Sequence, residues 1–303
     1  MANHKSGFVT VVGRPNVGKS TLINHLLGEK IAITSPKPQT TRNNMRAIIT
    51  EKDYQIIFID TPGIHKPKNK LGDFMVQAAT STFSEVDVVM YLYDVTNKEI
   101  PQSDLKIIEE IKATRNSKTK VFLVITKMDL VAKEQALEII AKMSELMEFD
   151  EIIPISAVKK DGTDIILKTL VDALPEGPAY FSEDILTDTN VREITREIIR
   201  EKILLFTNDE VPHGVGIEIV SFKEAKFTGK ACTIEANIYC EKSTHKTILI
   251  GKQGAMLKKI GTAARHDIEK LIGGKVNLQL WIKVKPDWRN SPSMLKELGF
   301  KND

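Results

Sequence analysis

The sequence predicts an α/β domain built on a mostly parallel sheet with one antiparallel edge strand, followed by a smaller α+β domain. Three observations predict this fold. From residue 7 to about 174, short β-branched runs alternate with helical patterns, as in sheets covered by helices on both faces. A glycine-rich loop joins the first strand to the first helix. After residue 191 the order changes to helix, two strands, two helices and a final strand.

The individual elements follow from the period of the apolar residues. In the first domain the predicted strands are 8–12, 45–50, 55–60, 86–93, 121–125 and 152–155, and the predicted helices are 20–27, 71–84, 102–114, 133–147 and 163–174. Only four residues separate the second and third strands, which predicts a hairpin and therefore the antiparallel edge strand. In the second domain the predicted elements are helix 191–206, strands 215–222 and 230–240, helix 243–250, a long helix through Met256 and Leu271, and strand 276–284.

The domain boundaries follow from a break in these patterns. Pro175, Gly177 and Pro178 end the last helix of the first domain, which predicts domains at 1–174 and 191–303 joined by a linker at 175–190. The aromatic residues Tyr180 and Phe181 predict that this linker packs on a domain surface.

Composition excludes several classes of protein. The chain has 303 residues, of which 42% are hydrophobic and 27% charged, as in ordinary globular proteins. No apolar run reaches the roughly 18 residues needed to cross a bilayer. Cys232 and Cys240 are too few for a disulfide framework and lack metal-ligand spacing. Because the N-terminal residues lead directly into a strand, we expect no signal peptide and a cytoplasmic setting.

The charge is unevenly distributed. The whole chain carries only +3, but from Arg192 onward 20 lysines and arginines stand against 14 acidic residues. A basic second domain joined to a slightly acidic first domain points to a polyanionic partner for the second.

The glycine-rich loop carries the first chemical signal. It matches the phosphate-binding pattern G-x-x-x-x-G-K-[ST] between a strand and a helix, where backbone N–H groups close around phosphate oxygens. Lys19 is expected to neutralise the β- and γ-phosphates, and Ser20 to offer its hydroxyl to Mg²⁺. The nucleotide-binding residues predicted here are Gly13, Arg14, Pro15, Asn16, Val17, Gly18, Lys19, Ser20 and Thr21.

Two further segments complete a predicted phosphate and Mg²⁺ site. The polar segment 29–44 occupies the position of a first switch, and Thr41, with Thr40 as the alternative, is expected to close over Mg²⁺ and the γ-phosphate. The third strand ends in Asp60, Thr61, Pro62 and Gly63, where the carboxylate can hold Mg²⁺ through a water and the Gly63 amide can meet the γ-phosphate. The predicted metal-binding set is therefore Ser20, Thr41 and Asp60.

The residue after Gly63 bears on hydrolysis. Ile64 has no hydrogen-bonding group and cannot orient water, so another group must do so. Residues 64–70, with three lysines, are predicted to form a mobile second switch.

The base is predicted to be guanine. The fifth strand leads into Thr126, Lys127, Met128 and Asp129, and the carboxylate of Asp129 can accept from guanine N1–H and N2–H₂, which adenine does not offer there. The stem of Lys127 would lie on the purine face. The sixth strand leads into Ser156 and Ala157, whose backbone N–H can reach the guanine O6.

Residues 7–174 resemble a translation-factor-class GTPase domain. The GRPNVGKS loop, the segment Gln39-Thr40-Thr41-Arg42 and the segment Asp60-Thr61-Pro62-Gly63-Ile64 together resemble the bacterial Era GTPases. Position 126 is Thr where the family usually has Asn, which implies lower nucleotide affinity with unchanged guanine specificity.

The resemblance also implies a catalytic set. Some relatives also have an aliphatic residue at the position of Ile64. In these relatives the residue that matches Asn16 helps to hold a K⁺ ion, and that ion takes the role of an arginine finger. Local hydrogen bonding within the loop is the alternative role of Asn16. The implied catalytic set is Asn16, Lys19 and Thr41.

The second domain carries a nucleic-acid signal. Gly251-Lys252-Gln253-Gly254 lies between two helices in the G-x-x-G pattern of a type II KH domain, in which the glycines let about four nucleotides of backbone approach. The predicted RNA-binding residues are Gly251, Lys252, Gln253, Gly254, Lys258 and Lys259. Pro286-Asp287-Trp288-Arg289-Asn290 matches the end of the Era family, so the resemblance covers nearly the whole chain.

The resemblance to the Era family implies a GTP-hydrolysing switch with GTP or GDP and Mg²⁺ bound, and with K⁺ as a further ion. It implies a monomer that binds single-stranded RNA near the 3′ end of 16S rRNA and acts in maturation of the 30S subunit. The alternative is a GTP-gated membrane or protein adaptor whose basic domain binds anionic lipid, with peripheral membrane association. A tRNA-modification GTPase is disfavoured because neither cysteine has a catalytic setting.

Overall fold

The computed structural model describes residues 4–224 and 231–300 and divides the chain into two compact units. The first unit holds the residues up to 68 together with 72–188, and the second holds 69–71 and the residues from 189 onward. The first residue of the predicted strand 230–240 and the ends of the predicted domains 1–174 and 191–303 lie outside the described residues.

The first unit contains the predicted α/β sheet. Its strands are β1 (Lys5–Val12), β2 (Met45–Glu51), β3 (Tyr54–Asp60), β4 (Val88–Asp94), β5 (Lys120–Thr126) and β6 (Glu151–Pro154), in the spatial order β2-β3-β1-β4-β5-β6. The helices are α1 (Lys19–Leu27), α2 (Lys70–Thr80), α3 (Gln102–Thr114), α4 (Lys133–Leu146) and α5 (Thr163–Ala173). Among the strands of the described residues in this unit, β2 at the edge pairs antiparallel and the others pair parallel, so the predicted fold class is confirmed.

Alternating residues of the strands fill two cores, one on each face of this sheet. In β4, Val89, Tyr91 and Tyr93 contribute to one core, with α3 and α4 packed against it. The intervening residues of β4 contribute to the other, which α1 and α5 cover. Since both faces are covered, the free ends of the strands are where polar side chains can gather. The phosphate-binding loop follows β1, and Asp60, Asp94 and Thr126 are the last residues of β3, β4 and β5, which run parallel to it.

Residues 175–188 belong to the first unit and pack on its sheet. Gln55 is fully buried, and its side-chain oxygen accepts from the N–H groups of Tyr180 and Phe181 at 2.7 and 3.0 Å. The Tyr180 ring lies 5.0 Å from the Phe8 ring. Further along, the Ile48 N–H donates to the carbonyl of Leu186 at 2.8 Å.

The second unit contains a three-stranded sheet whose main core is formed with several of the helices. Its elements are α6 (Val191–Phe206), β7 (Val215–Lys223), β8 (Cys232–Cys240), α7 (Ser243–Ile250), α8 (Ala255–Ile272), β9 (Val276–Val284) and α9 (Pro292–Glu297). The central strand β8 pairs antiparallel with β7 and parallel with β9.

The buried cysteines are not joined in a disulfide, and none of the described helices is both long and apolar enough to cross a membrane.

Candidate functional site

Lys19 lies buried beneath the loop that joins β1 to α1. Its ammonium donates to the carbonyls of Gly13 and Arg14, each at 3.2 Å. Burial lowers the pKa of Lys19 to about 8, while the nearby charge of Asp60 acts to raise it. The ammonium is therefore poorly compensated in the protein alone. A bound phosphate would supply the strong negative partner that it lacks.

The three predicted metal-binding side chains converge. Ser20 donates to Asp60 Oδ2 at 2.7 Å, Thr41 donates to the same oxygen at 3.2 Å, and the two hydroxyls lie 3.1 Å apart. Thr40, the alternative to Thr41, instead donates to the carbonyl of Lys37 at 2.6 Å. The geometry therefore favours Thr41 over Thr40.

The same cluster fits a hard divalent cation. Asp60 is fully buried, and its second oxygen, Oδ1, has no hydrogen-bond partner among the described residues. Burial raises the pKa of the Asp60 carboxyl, and the charge of Lys19 opposes that rise. Two hydroxyls and an incompletely satisfied carboxylate form an all-oxygen donor set, which Mg²⁺ prefers.

Two asparagine side chains hold the first switch, one near its start and one near its middle. Asn16 in the phosphate-binding loop donates to the carbonyl of Pro36 at 2.7 Å. Asn24 of α1 accepts from the N–H groups of Ile31 and Ala32 and donates to the carbonyl of Ala32. Asn24 was not singled out from the sequence, because its partners come from a segment without a regular period.

The second switch begins with its aliphatic residue in the core. Ile64 belongs to the buried cluster beneath α2 and α3, and its N–H donates to the carbonyl of Gly13 at 3.2 Å. The next residue, His65, lies 2.8 Å from the carbonyl of Gly63 through Nδ1, so we assign the proton to that nitrogen. The other ring nitrogen then accepts from the Gln39 amide at 3.2 Å, which links the two switches.

The guanine-motif residues are held by their neighbours at the strand ends. The Thr126 hydroxyl lies 2.9 Å from the carbonyl of Val17 and 3.1 Å from that of Tyr93, so it ties this motif to the phosphate-binding loop. Lys127 pairs with Asp94 at 2.5 Å. Burial acts to raise the pKa of the Asp94 carboxyl, but hydrogen bonds from Lys127 and Thr96 outweigh it and lower that pKa.

Asp129 and Ser156 meet, as their predicted roles require. The Ser156 hydroxyl donates to Asp129 Oδ1 at 2.6 Å, and this hydrogen bond lowers the pKa of the half-buried carboxyl. The N–H of Ser156 donates to the carbonyl of Asp161. Of the two amides predicted to reach the guanine O6, the Ser156 amide therefore already has a partner, which corrects that part of the prediction and leaves Ala157.

Two other predicted nucleotide-binding side chains face protein groups instead. Arg14 forms an ion pair with Asp104 of α3 at 2.6 Å. The hydroxyl of Thr61 donates to the carbonyl of Val11 at 2.7 Å. We therefore expect these two residues to take part in the site through their backbone. Asp104 and Asp94 were missed from the sequence because neither lies in a motif.

The G-x-x-G loop of the second unit has the backbone that its glycines allow. Gly251 and Gly254 have φ values of 71° and 80°, in the left-handed region. A Cβ at Gly251 would lie 2.7 Å from the Cβ of Met256, whereas one at Gly254 would meet nothing within 4 Å. Gly251 is therefore required by packing within the domain, and Gly254 leaves open space beside the start of α8.

An open groove of about 390 Å³ runs from this loop between α8 and β9. Apolar side chains from both elements and two cations line it; the lining residues are Gly254, Leu257, Lys258, Gly261, Thr262, Arg265, Leu278 and Leu280. Lys259 does not line the groove, because it is turned about 100° from Lys258 around the helix. Its ammonium lies 4.3 Å from the centre of the Phe206 ring, and its RNA-binding role stays a prediction. Arg265 was missed because it lies about three turns beyond the G-x-x-G loop.

Both units match models of known protein families. Residues 8–127 match the family described as 50S ribosome-binding GTPase, and residues 210–289 match the KH domain family.

The chain is also similar to curated proteins and solved structures over its whole length. It is 57% identical to the GTPase Era of Ruminiclostridium cellulolyticum, over 99% of both chains. It is 51% identical to the GTPase Era of Clostridium novyi, over 98% of this chain and 99% of that one. A crystal structure of Era in complex with MgGDPNP and nucleotides 1506–1542 of 16S ribosomal RNA has a TM-score of 0.93 and 39% identity, covering 98% of this chain and 99% of that one. An Aquifex aeolicus Era bound to GDP and aluminium fluoride has a TM-score of 0.91 and 38% identity, with the same coverage.

Proposed function

This chain belongs to the Era family of GTPases, and on that premise we propose that it is a GTP-hydrolysing switch that binds single-stranded RNA near the 3′ end of 16S rRNA. The related Era crystallised with that part of the rRNA supports the choice of RNA. We further propose that it acts as a monomer in the cytoplasm, in maturation of the 30S subunit. Peripheral membrane association stays a sequence-based expectation, with no observation that favours it.

The nucleotide is bound at the carboxyl ends of the strands. Asp129, held in place by Ser156, accepts from the guanine N1–H and N2–H₂, and the Ala157 amide meets O6. The stem of Lys127, fixed by Asp94, lies on the purine face. Lys19 exchanges its two carbonyl partners for β- and γ-phosphate oxygens.

Ser20, Thr41 and Asp60 are the residues that would hold Mg²⁺. When bound there, the ion neutralises charge on the β- and γ-phosphate oxygens. The two hydroxyls now donate to one carboxylate oxygen, and the free Oδ1 of Asp60 faces no protein donor among the described residues. Thr41 belongs to the first switch, so its position reports whether the γ-phosphate is present.

Hydrolysis needs a group other than residue 64, since Ile64 is in the core. We propose that Asn16 helps to hold K⁺ beside the phosphates. Asn16 lies in the phosphate-binding loop with its amide nitrogen directed to the Pro36 carbonyl. The first switch therefore already contacts the side chain proposed to hold the ion.

The RNA is bound by the G-x-x-G loop and the groove beyond it. Phosphates pass over Gly254 at the start of α8, where the helix dipole and Lys252 attract them. Unpaired bases then lie on the leucines of the groove, with Lys258 and Arg265 beside them. The open space at Gly254 beside this lined groove is the observation that carries the proposal.

The test is a double substitution in the loop with a matched control elsewhere on the same domain. Lys252→Asp with Gln253→Asp places two carboxylates where phosphates must pass. Lys283→Asp with Gln279→Asp makes the same two changes in β9, at exposed positions that do not line the groove.

We expect the loop variant to lose at least about tenfold in affinity for a single-stranded oligonucleotide of the 16S rRNA 3′ end, measured by filter binding. The β9 variant should stay close to the unmodified protein, and both should keep their basal GTP hydrolysis. Full RNA affinity in the loop variant would overturn the proposal. Equal losses in both variants would also overturn it, because they would show that RNA is attracted by the charge of the domain and not by the loop.

A further inference from the structure

The side chain of Arg14 in the phosphate-binding loop is held by a carboxylate outside the GTPase motifs. Arg14 Nε lies 2.6 Å from Oδ2 of Asp104, whose side chain is fully buried while that of Arg14 is 24% exposed. The pair lacks the alignment of a linear hydrogen bond, so the contact is mainly one between charges. Asp104 lies in the first turn of α3.

Asp104 is itself fixed from the sheet. Tyr91 of β4 is fully buried and donates from its hydroxyl to Oδ1 of Asp104 at 2.7 Å. Burial raises the pKa of the Asp104 carboxyl, and the Tyr91 hydrogen bond and the charge of Arg14 oppose that rise. Burial, reinforced by Asp104, raises the pKa of Tyr91 well above 10, so its hydroxyl stays protonated and remains a donor.

Arg14 also takes part in the phosphate-binding loop through its backbone. The carbonyl of Arg14 is one of the two oxygens that accept from the ammonium of Lys19. One residue thus joins the buried carboxylate to the lysine that would meet the phosphates. Its guanidinium also compensates a negative charge that would otherwise repel an incoming nucleotide through a medium of low dielectric constant.

We propose that Asp104, supported by Tyr91, is a positioning residue for nucleotide binding, because it fixes Arg14 and thereby the loop that surrounds the phosphates. The proposal rests on the nucleotide site described above and adds to it a residue from α3. Asp104 touches neither base nor phosphate, so its loss should change how tightly the phosphates are held. The choice of base and the rate of the chemical step should not change.

The main variant is Asp104→Asn in the full-length protein, which keeps the shape of the side chain and removes its charge. We expect the dissociation constant for GDP, measured with a fluorescent N-methylanthraniloyl label, to rise about tenfold through faster release. Turnover at saturating GTP should stay within about twofold, and the preference for GDP over XDP should not move.

Three further single variants show how much each contact contributes. Tyr91→Phe removes one hydrogen bond to Asp104 but leaves the ion pair, so we expect the same direction with a rise of about two- to threefold. Arg14→Lys keeps a cation opposite Asp104 and should retain most of the affinity, whereas Arg14→Gln should lose it. When Asp104→Asn is combined with Arg14→Gln, the second change should cost less than it does alone, because the interaction is already absent.

Asp87→Asn serves as the matched control. Asp87 precedes β4, at the end of that strand away from the phosphate-binding loop, and accepts from the Phe8 N–H at 2.8 Å. It tests whether loss of any structural carboxylate beside this strand weakens GDP binding.

Unchanged GDP affinity in folded Asp104→Asn protein, or equal loss in Asp87→Asn, would overturn the proposal and leave Asp104 a structural residue. Additive effects of the Arg14 and Asp104 changes would do the same. Were Asp104→Asn not to fold, Tyr91→Phe and the two Arg14 variants decide the question. If the proposed nucleotide site were itself wrong, the result would be different, because the unmodified protein would then not bind GDP.

Discussion

Replacement of Lys19 by methionine should abolish nucleotide binding and at the same time stabilise the nucleotide-free protein. Lys19 is 7% exposed, and burial lowers its pKa from 10.5 to about 8. A lysine whose pKa is lower in the folded than in the unfolded state destabilises the folded state wherever it is charged. The difference of about 2.5 between the two pKa values corresponds to a loss of at most about 3 kcal/mol in the free energy of unfolding.

Part of that cost is offset by contacts that methionine cannot make. The carbonyls of Gly13 and Arg14 would lose a donor, and Asp60 would lose a nearby positive charge. We therefore expect Lys19→Met to raise the free energy of unfolding of the first unit by about 1–2 kcal/mol at pH 7. The cost is fully present below pH 8, decreases between pH 8 and 10.5, and is absent above 10.5.

The assay is urea unfolding of nucleotide-free protein, followed by far-ultraviolet circular dichroism and by tryptophan fluorescence. Both tryptophans, Trp281 and Trp288, lie in the second unit, so their fluorescence follows that unit and should not respond to the substitution. Tyrosines and cysteines that titrate in this range are present in both proteins, so their effects cancel in the comparison. A less stable Lys19→Met protein at pH 7, or a difference that does not shrink as the pH rises toward 10.5, would refute the reasoning.

Three further predictions concern the nucleotide. Asp129→Asn should shift preference from guanine toward xanthine nucleotides, because the C2 carbonyl of xanthine replaces an amino donor; unchanged GTP affinity in a binding titration would remove Asp129 from that role. Gly63→Ala should weaken GTP binding about tenfold and GDP binding little, because its Cβ would lie 2.7 Å from the backbone nitrogen of Pro15 and displace the second switch; an equal loss for GDP would contradict this. Replacing K⁺ by Na⁺ should slow phosphate release from GTP, and Asn16→Ala should remove the difference; equal rates in both salts would exclude K⁺.

The regular elements were predictable because their apolar periods are long. Helix α6 and strand β9 begin and end at the predicted residues, and the short connection between β2 and β3 correctly predicted the antiparallel edge strand. Helix α9 was missed, although Ser291 caps it and Pro292 occupies its first turn. With only six residues it has no complete apolar repeat, so the capping signal was the one available and was not used.

At the nucleotide site, the residues that lie at or near the ends of strands and helices were predictable. Ser20, Thr41 and Asp60 meet because Ser20 lies in the first turn of α1, Asp60 ends β3 and Thr41 lies a few residues before β2. The partners of long charged side chains were not predictable. Arg14 reaches Asp104 and Lys259 lies over Phe206 because of how the helices pack, and sequence spacing does not contain that information.

At Thr126 the residue type predicted one hydrogen bond, and the structure adds a second possible acceptor. A hydroxyl in place of the family's usual amide was expected to make part of the missing connection, and it does approach the carbonyl of Val17 in the phosphate-binding loop at 2.9 Å. The same hydroxyl lies 3.1 Å from the carbonyl of Tyr93, at the end of the adjacent strand β4. A hydroxyl has one proton where an amide has two, so these carbonyls compete for a single donor. The connection between the guanine motif and the phosphate-binding loop is therefore shared with the sheet, because the single proton of the hydroxyl has two carbonyls within reach.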